Sequence, residues 1–199
     1  MRIKQCEWSQ NGHQNMADYH QNEWGFAVFD EEKTFELMIL EIMRAGLSWQ
    51  TILNKRLGFQ KAFSNYRIQK IAQYNDYDME KLLKNPAIVR NKRKVEAIVS
   101  NAQLLAQKNA TSEFSLNTYL WSFVDDKPLV MDYQTQEDMQ GFSELSKKIS
   151  RELKKQGFKF LGPTIVQSWL EALGIINSHV ETCPIKQQCI DFFAKNYTL

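Results

Sequence analysis

The sequence predicts an all-α protein. Apolar residues recur three and four apart through nearly every patterned stretch, capping and stop residues bound those stretches, and the alternation of a half-buried strand is weak throughout. The clearest case is 31–45. Asp30 is an N-cap candidate, Phe35, Met38, Ile39, Ile42 and Met43 form one stripe, and Gly46 is a stop. Ser48 then caps a helix reaching Phe63, with Trp49, Ile52, Leu53, Phe59 and Phe63 as its apolar positions. Short helices follow over 68–72 and 79–84, the second ended by Asn85-Pro86. A long helix over 88–107 turns Ile88, Val95, Ile98, Val99, Ala102 and Leu105 inward, and 116–124 is an aromatic-rich helix. A basic helix runs from Ser143 to Gln156 and stops at Gly157. The next starts with Pro163 in its first turn and ends at Leu173 before Gly174. The first 28 residues and 125–142 read as irregular, and the tail over 184–199 has no assignment.

A chain of 199 residues can bury a sizeable core, and we expect a single domain over 1–199, divisible into two helical lobes with a pocket between them. The net charge of +2 points to no partner. Local charge says more. Residues 147–159 carry six basic side chains against one acid, and Arg90-Asn91-Lys92-Arg93-Lys94 forms a second cluster. Each suits a polyanion, but either cluster taken alone reads more readily as a solvated helix face. The basic helix leads into Gly157-Phe158-Lys159-Phe160-Leu161-Gly162-Pro163-Thr164, a short turn before another helix. A helix-hairpin-helix turn of this kind exposes backbone N–H groups that bind phosphate without reading sequence. Lys159, Gly162 and Thr164 are its candidate DNA-backbone contacts. Three cysteines are too few and too odd in number for a disulfide framework, no signal peptide or membrane span is visible, and a cytoplasmic protein with reduced thiols is expected.

Two features suggest chemistry. Glu41 interrupts the run Leu37-Met38-Ile39-Leu40-Glu41-Ile42-Met43. A charge beside an apolar face is costly without partners, so it either snorkels to the helix edge or is kept for a function. His179 and Cys183 are one helical turn apart and can share a metal ion. With Cys6 and His20 they could form a Cys2His2 site stapling the two ends together. Against that, Cys6 suits a core position, and Cys189 competes as a ligand through C-x5-C spacing.

The motifs then add up in order. Cys6 and Trp8, Tyr19-His20-x-Asn22-Glu23-Trp24-Gly25, Leu40-Glu41 and Ala45-Gly46-Leu47-Ser48-Trp49 resemble 3-methyladenine DNA glycosylase I. So do Ile88-Val89-Arg90-x-x-x-Lys94, Asn101-Ala102, Trp121-Ser122-Phe123-Val124, the hairpin 157–164 and Asn177-x-His179-x-x-x-Cys183, so that the match spans 6–183. The resemblance implies a helix-hairpin-helix glycosylase fold. It implies one structural zinc held by Cys6, His20, His179 and Cys183, and a base pocket formed by Glu41, Tyr19 and Trp49 with Trp24 nearby. Glu41 becomes the catalytic candidate, and Leu47 in the Gly46-Leu47-Ser48 turn the residue inserted into the DNA stack. The implied partners are double-stranded alkylated DNA and the 3-methyladenine base, for a monofunctional enzyme that leaves an abasic site. We expect a monomer with no membrane association. Three places depart from the family pattern: Ser178 where an aspartate is usual, Ile42-Met43-Arg44 where glutamine-type residues are usual, and Met16 where an aromatic is common. They keep open an alternative, a damaged-DNA binding protein of the same fold without turnover.

Overall fold

The computed structural model describes residues 6–10, 12–111 and 114–197. It is helical almost throughout. The helices are α1 (Gln14–Asn22), α2 (Glu31–Arg44), α3 (Trp49–Ala62), α4 (Ile68–Ile71), α5 (Asp76–Lys84), α6 (Lys92–Thr111), α7 (Leu116–Trp121), α8 (Glu144–Lys155), α9 (Pro163–Ala172) and α10 (Pro184–Asn196). Two two-residue strands, β1 (Leu129–Val130) and β2 (Ile176–Asn177), pair in parallel.

Helix α2 is the centre. It packs against α3, α6, α7 and α9, and all its residues from Leu37 to Met43 are buried. Its N-cap is Asp30, whose carboxylate accepts from the Lys33 amide at 2.6 Å. Glu31 in the first turn caps a neighbour instead, accepting from Ser115 Oγ and the amides of Leu116 and Asn117 at the start of α7. Trp121 Nε1 donates to the Val28 carbonyl and Trp169 Nε1 to the Thr34 carbonyl, so both large indoles are buried with their one donor satisfied.

The far end of α2 is held by Lys94. Its ammonium donates to the carbonyls of Met43 at 2.8 Å and Ala45 at 2.6 Å. A cation at a helix C-terminus meets the unpaired carbonyls and the negative end of the dipole. This also corrects the second basic cluster: Arg90, Lys92 and Arg93 are exposed, but Lys94 is buried and belongs to the interior. Gly46 then takes φ +76, a left-handed turn that glycine adopts without strain, and Ser48 caps α3 through the Thr51 amide.

The hairpin joins α8 to α9. Asn101 of α6 clamps its backbone, accepting from the Lys159 amide at 2.7 Å and donating to the Lys159 carbonyl at 3.0 Å. Ser150 Oγ donates to the Leu161 carbonyl at 2.6 Å. Lys159, Gly162 and Thr164 are left exposed on its outer side.

Several boundaries differ from the sequence reading. Residues 14–22, read as irregular, form α1, whose buried side chains are only Met16, Tyr19 and His20. Helix α6 starts at Lys92 and not at Ile88, because the Asn91 side chain accepts from the Lys94 amide. The tail forms α10, and Phe193 and Tyr197 stack beside Phe29 and Trp121. The segment 125–142 contributes β1.

Gly174 combines a close backbone approach with a left-handed conformation. It has φ +68, and a Cβ there would lie 2.4 Å from the Phe26 carbonyl carbon. We expect Gly174→Ala to lower unfolding free energy by more than about 1 kcal/mol, measured by denaturant titration, since both backbone conformation and space oppose it.

Candidate active site and metal centre

Glu41 does not snorkel. It is 4% exposed, on the face of α2 that opens into a cavity of about 420 Å³. That size lies within the range of small-ligand pockets, roughly 300–1,000 Å³. The walls are aromatic: Trp8, Tyr19, Trp24 and Trp49. Tyr19 comes from α1 and Trp49 from the first turn of α3, and their ring centres lie 5.0 Å apart at 52°. Trp49 Nε1 is buried with no partner among the described residues. Polar groups on the walls are Arg44, Ser48, Gln50, Gln136, Ser168 and Glu171.

Burial pushes the Glu41 carboxyl up to about 7, against the pull of Arg44, whose Nε donates to it at 2.7 Å; Glu171 nearby adds to the rise. Burial likewise raises the Tyr19 phenol well above its ordinary range, with Glu41 adding to it. Tyr19 is therefore a neutral O–H donor at any physiological pH. The cavity thus combines aromatic faces, one phenol donor and a carboxylate that is nearly as stable neutral as charged.

Beside the cavity, Cys6, His20, His179 and Cys183 come together, all buried, with their ligand atoms within 4.8 Å of one another. These four could hold a metal ion; Cys189, the competitor by spacing, is not a member of the group. Cys6 Sγ lies 3.5 Å from His179 Nδ1, and Cys183 Sγ lies 3.6 Å from both His20 Nε2 and His179 Nδ1. His179 Nε2 faces the Trp24 carbonyl at 3.1 Å, which leaves Nδ1 turned to the group. Contacts from Cys6, His179 and His20 hold the Cys183 thiol far below its ordinary value, while that same sulfur and burial push Cys6 up. The group also touches the cavity wall, because the Trp24 and His179 rings lie 4.5 Å apart. Gly25 makes this possible: a Cβ there would stand 2.8 Å from His179 Nε2.

The sequence candidates therefore fall into four places. Glu41, Tyr19, Trp24 and Trp49 line one cavity, and the four Cys and His residues cluster behind Trp24. Leu47 stands 42% exposed at the tip of the turn between α2 and α3, next to Gly46. Lys159, Gly162 and Thr164 sit on the hairpin. Sequence reasoning missed Trp8, Ser168 and Glu171 as wall residues. All three departures also find a place. Arg44 is the ion-pair partner of Glu41 while Ile42 and Met43 are core, and Ser178 Oγ donates to Glu171 at 3.1 Å. Met16 is a wall residue.

Residues 8–187 match the family model described as methyladenine glycosylase. The chain belongs to that family. It is 38% identical over 183 residues to the DNA-3-methyladenine glycosylase of Haemophilus influenzae, covering 91% of this chain and 97% of that protein. It is 36% identical to DNA-3-methyladenine glycosylase 1 of Escherichia coli, covering 91% and 96%. Among solved structures, 3-methyladenine DNA glycosylase I of Staphylococcus aureus superposes with a TM-score of 0.86 at 36% identity, covering 94% of this chain and 98% of that one. A variant glycosylase I crystallised with 3-methyladenine gives 0.84 at 36% identity, covering 90% and 96%.

Within this methyladenine glycosylase the titration of Glu41 has a definite sign. Its folded value of about 7 lies above the ordinary 4.5, so between those values the folded protein keeps a proton that the unfolded chain has lost. Stability therefore falls as pH rises through that window and levels off above it. We expect Glu41→Gln, which cannot ionise, to gain on the wild type across the window in thermal unfolding, with its largest advantage above pH 7. An advantage that does not change with pH would show that Glu41 is not the titrating group.

Proposed function

We propose that the protein is a monofunctional base-excision repair glycosylase that hydrolyses the N-glycosidic bond of 3-methyladenine in alkylated double-stranded DNA and leaves an abasic site. The observation that carries this reading is the buried Glu41 carboxylate facing an aromatic-walled cavity. Alkylation at N3 makes adenine a cation and a good leaving group. The enzyme then has little protonation to do. It must take the base out of the duplex, hold it, and admit water to C1′. Trp49 offers a π face to a cationic ring. The neutral Tyr19 phenol can hydrogen-bond a base edge, and Glu41 can accept from the exocyclic amine and stabilise positive charge on base and sugar in a site poor in water. Leu47 would fill the gap in the stack, and the hairpin at Lys159, Gly162 and Thr164 would hold the phosphate backbone; the exposure of these residues supports that reading. The protein would act as a monomer in the cytoplasm.

The metal we assign to the Cys/His group is zinc in a structural role. Tetrahedral zinc, with Zn–S about 2.3 Å and Zn–N about 2.0–2.1 Å, sets sulfur and nitrogen ligands about 3.5 Å apart. The distances of 3.5 and 3.6 Å between these ligand atoms match that spacing. The donor set of two thiols and two imidazoles suits zinc, and four protein ligands leave no position for a reacting water. Its work would be to hold the chain ends and the Trp24 wall.

Two measurements test these readings. With methylated DNA, the wild type should release free 3-methyladenine, and Glu41→Gln should release it about 100-fold more slowly or worse while folding normally. DNA bound with no base released would instead favour the binding protein without turnover. Elemental analysis should find about one zinc per chain, with Cys6→Ser and His179→Ala each lowering zinc content and thermal stability. Unchanged zinc in either variant would remove that residue from the ligand set.

A further inference from the structure

The cavity holds three charged side chains, and only one of them has a role so far. Glu41 and Arg44 come from α2, and Glu171 comes from α9. Arg44 Nε donates to Glu41 at 2.7 Å, its guanidinium reaches Ser168 Oγ at 2.5 Å, and its central carbon stands 6.0 Å from the centre of the Trp49 ring. Arg44 thus already takes both features that a cationic base would use, the carboxylate and the aromatic face. An ion pair has no net charge to offer. A pocket made of Glu41 and Arg44 alone would be neutral, and a cation entering it would leave water for a site with no counter-charge.

Glu171 changes that sum. Its Oε1 accepts from Gln167 Nε2 at 2.9 Å and from Ser178 Oγ at 3.1 Å, both uncharged donors. Among the described residues no ion pair involves it; burial raises its carboxyl above the ordinary range, against the opposing pull of Gln167, Ser178 and Arg44. We infer that Glu171 is a specificity-determining residue that supplies the negative charge a cationic base meets in this pocket, Arg44 having neutralised Glu41. The inference rests on the reading of the site as one for alkylated bases. A cation entering the pocket favours the ionised form of both carboxylates, and with all three groups ionised the pocket carries one net negative charge, equal and opposite to that of a cationic alkylated purine. An unmodified base brings no charge and leaves Glu171 uncompensated, so the same carboxylate selects against undamaged bases.

A double-mutant cycle tests this. Base release from methylated DNA is measured for the wild type, Glu171→Gln, Arg44→Gln and the double variant, alongside binding to a duplex carrying a tetrahydrofuran abasic analogue, which puts no base in the pocket. Glu171→Gln should slow base release about tenfold or more and change abasic-duplex affinity less than about twofold. Adding Arg44→Gln should recover most of that loss, since Glu41 is then the free negative charge. Glu171→Asp, which keeps the charge, should stay nearer the wild type than Glu171→Gln. A Glu171→Gln loss of equal size with and without Arg44 would overturn the inference, since Glu171 would then act only by holding Ser178. No loss at all would overturn it as well. A wild type that releases no base overturns the glycosylase reading and this inference together; an active wild type with additive variants overturns this inference alone.

Discussion

A carboxylate on the most buried helix of the protein is the constraint around which the site is built. Helix α2 is enclosed by α3, α6, α7 and α9, and its other residues from Leu37 to Met43 are apolar and almost wholly buried. Such a helix has no ordinary place for a charge. The cost appears as the upward shift of Glu41, which a guanidinium 2.7 Å away does not cancel. That conflict has a use. A carboxylate already stripped of water gains more from a cation than one in solvent, because the desolvation is complete before the ligand arrives. The apolar packing of α2 and the polar chemistry of the pocket are therefore the same arrangement seen from two sides.

The metal centre and the pocket are joined in a similar way. Residues near both ends of the chain meet in the Cys/His group, Cys6 and His179 being 173 positions apart in sequence. Trp24 belongs to both places. Its carbonyl faces His179 Nε2, its ring packs on the His179 ring, and it lines the cavity beside Trp8 and Tyr19. Trp8 packs edge-on against Trp24, with ring centres 5.0 Å apart. A change in the ligand group is thus transmitted to the aromatic wall through direct contact.

Most of this architecture was legible in the sequence, for local reasons. Asp30 and Ser48 as caps, Gly46 and Gly157 as stops and Pro163 in a first turn all act within one helical turn, so their neighbours suffice to read them. Helix α1 was not legible because its sequence, QNMADYHQN, has no apolar stripe; its three buried side chains are fixed by the ligand group and the pocket, which are tertiary features. The aromatic contacts of α10 with Phe29 and Trp121 are equally non-local. For Glu41, helical periodicity allowed an edge or an interior position, and only the family motifs around Tyr19 and Trp49 favoured the pocket. Lys94 misled the reading of charge, since a run of basic residues does not reveal that one of them points inward. Glu171 was invisible because nothing local separates it from any other acid on an amphipathic helix.

Helix α6 makes two attachments that look unrelated when taken singly. Lys94 ties it to the turn that carries Leu47, and Asn101 ties it to the hairpin backbone at Lys159. The two are seven residues apart, which puts them on one face of the helix about 10 Å from each other along its axis. The helix thus serves as a ruler, with the Leu47 turn fastened at one mark and the hairpin at the other. Neither can slide without breaking bonds to buried backbone. Under the proposed function, a duplex meeting both would have to take up the offset the ruler sets.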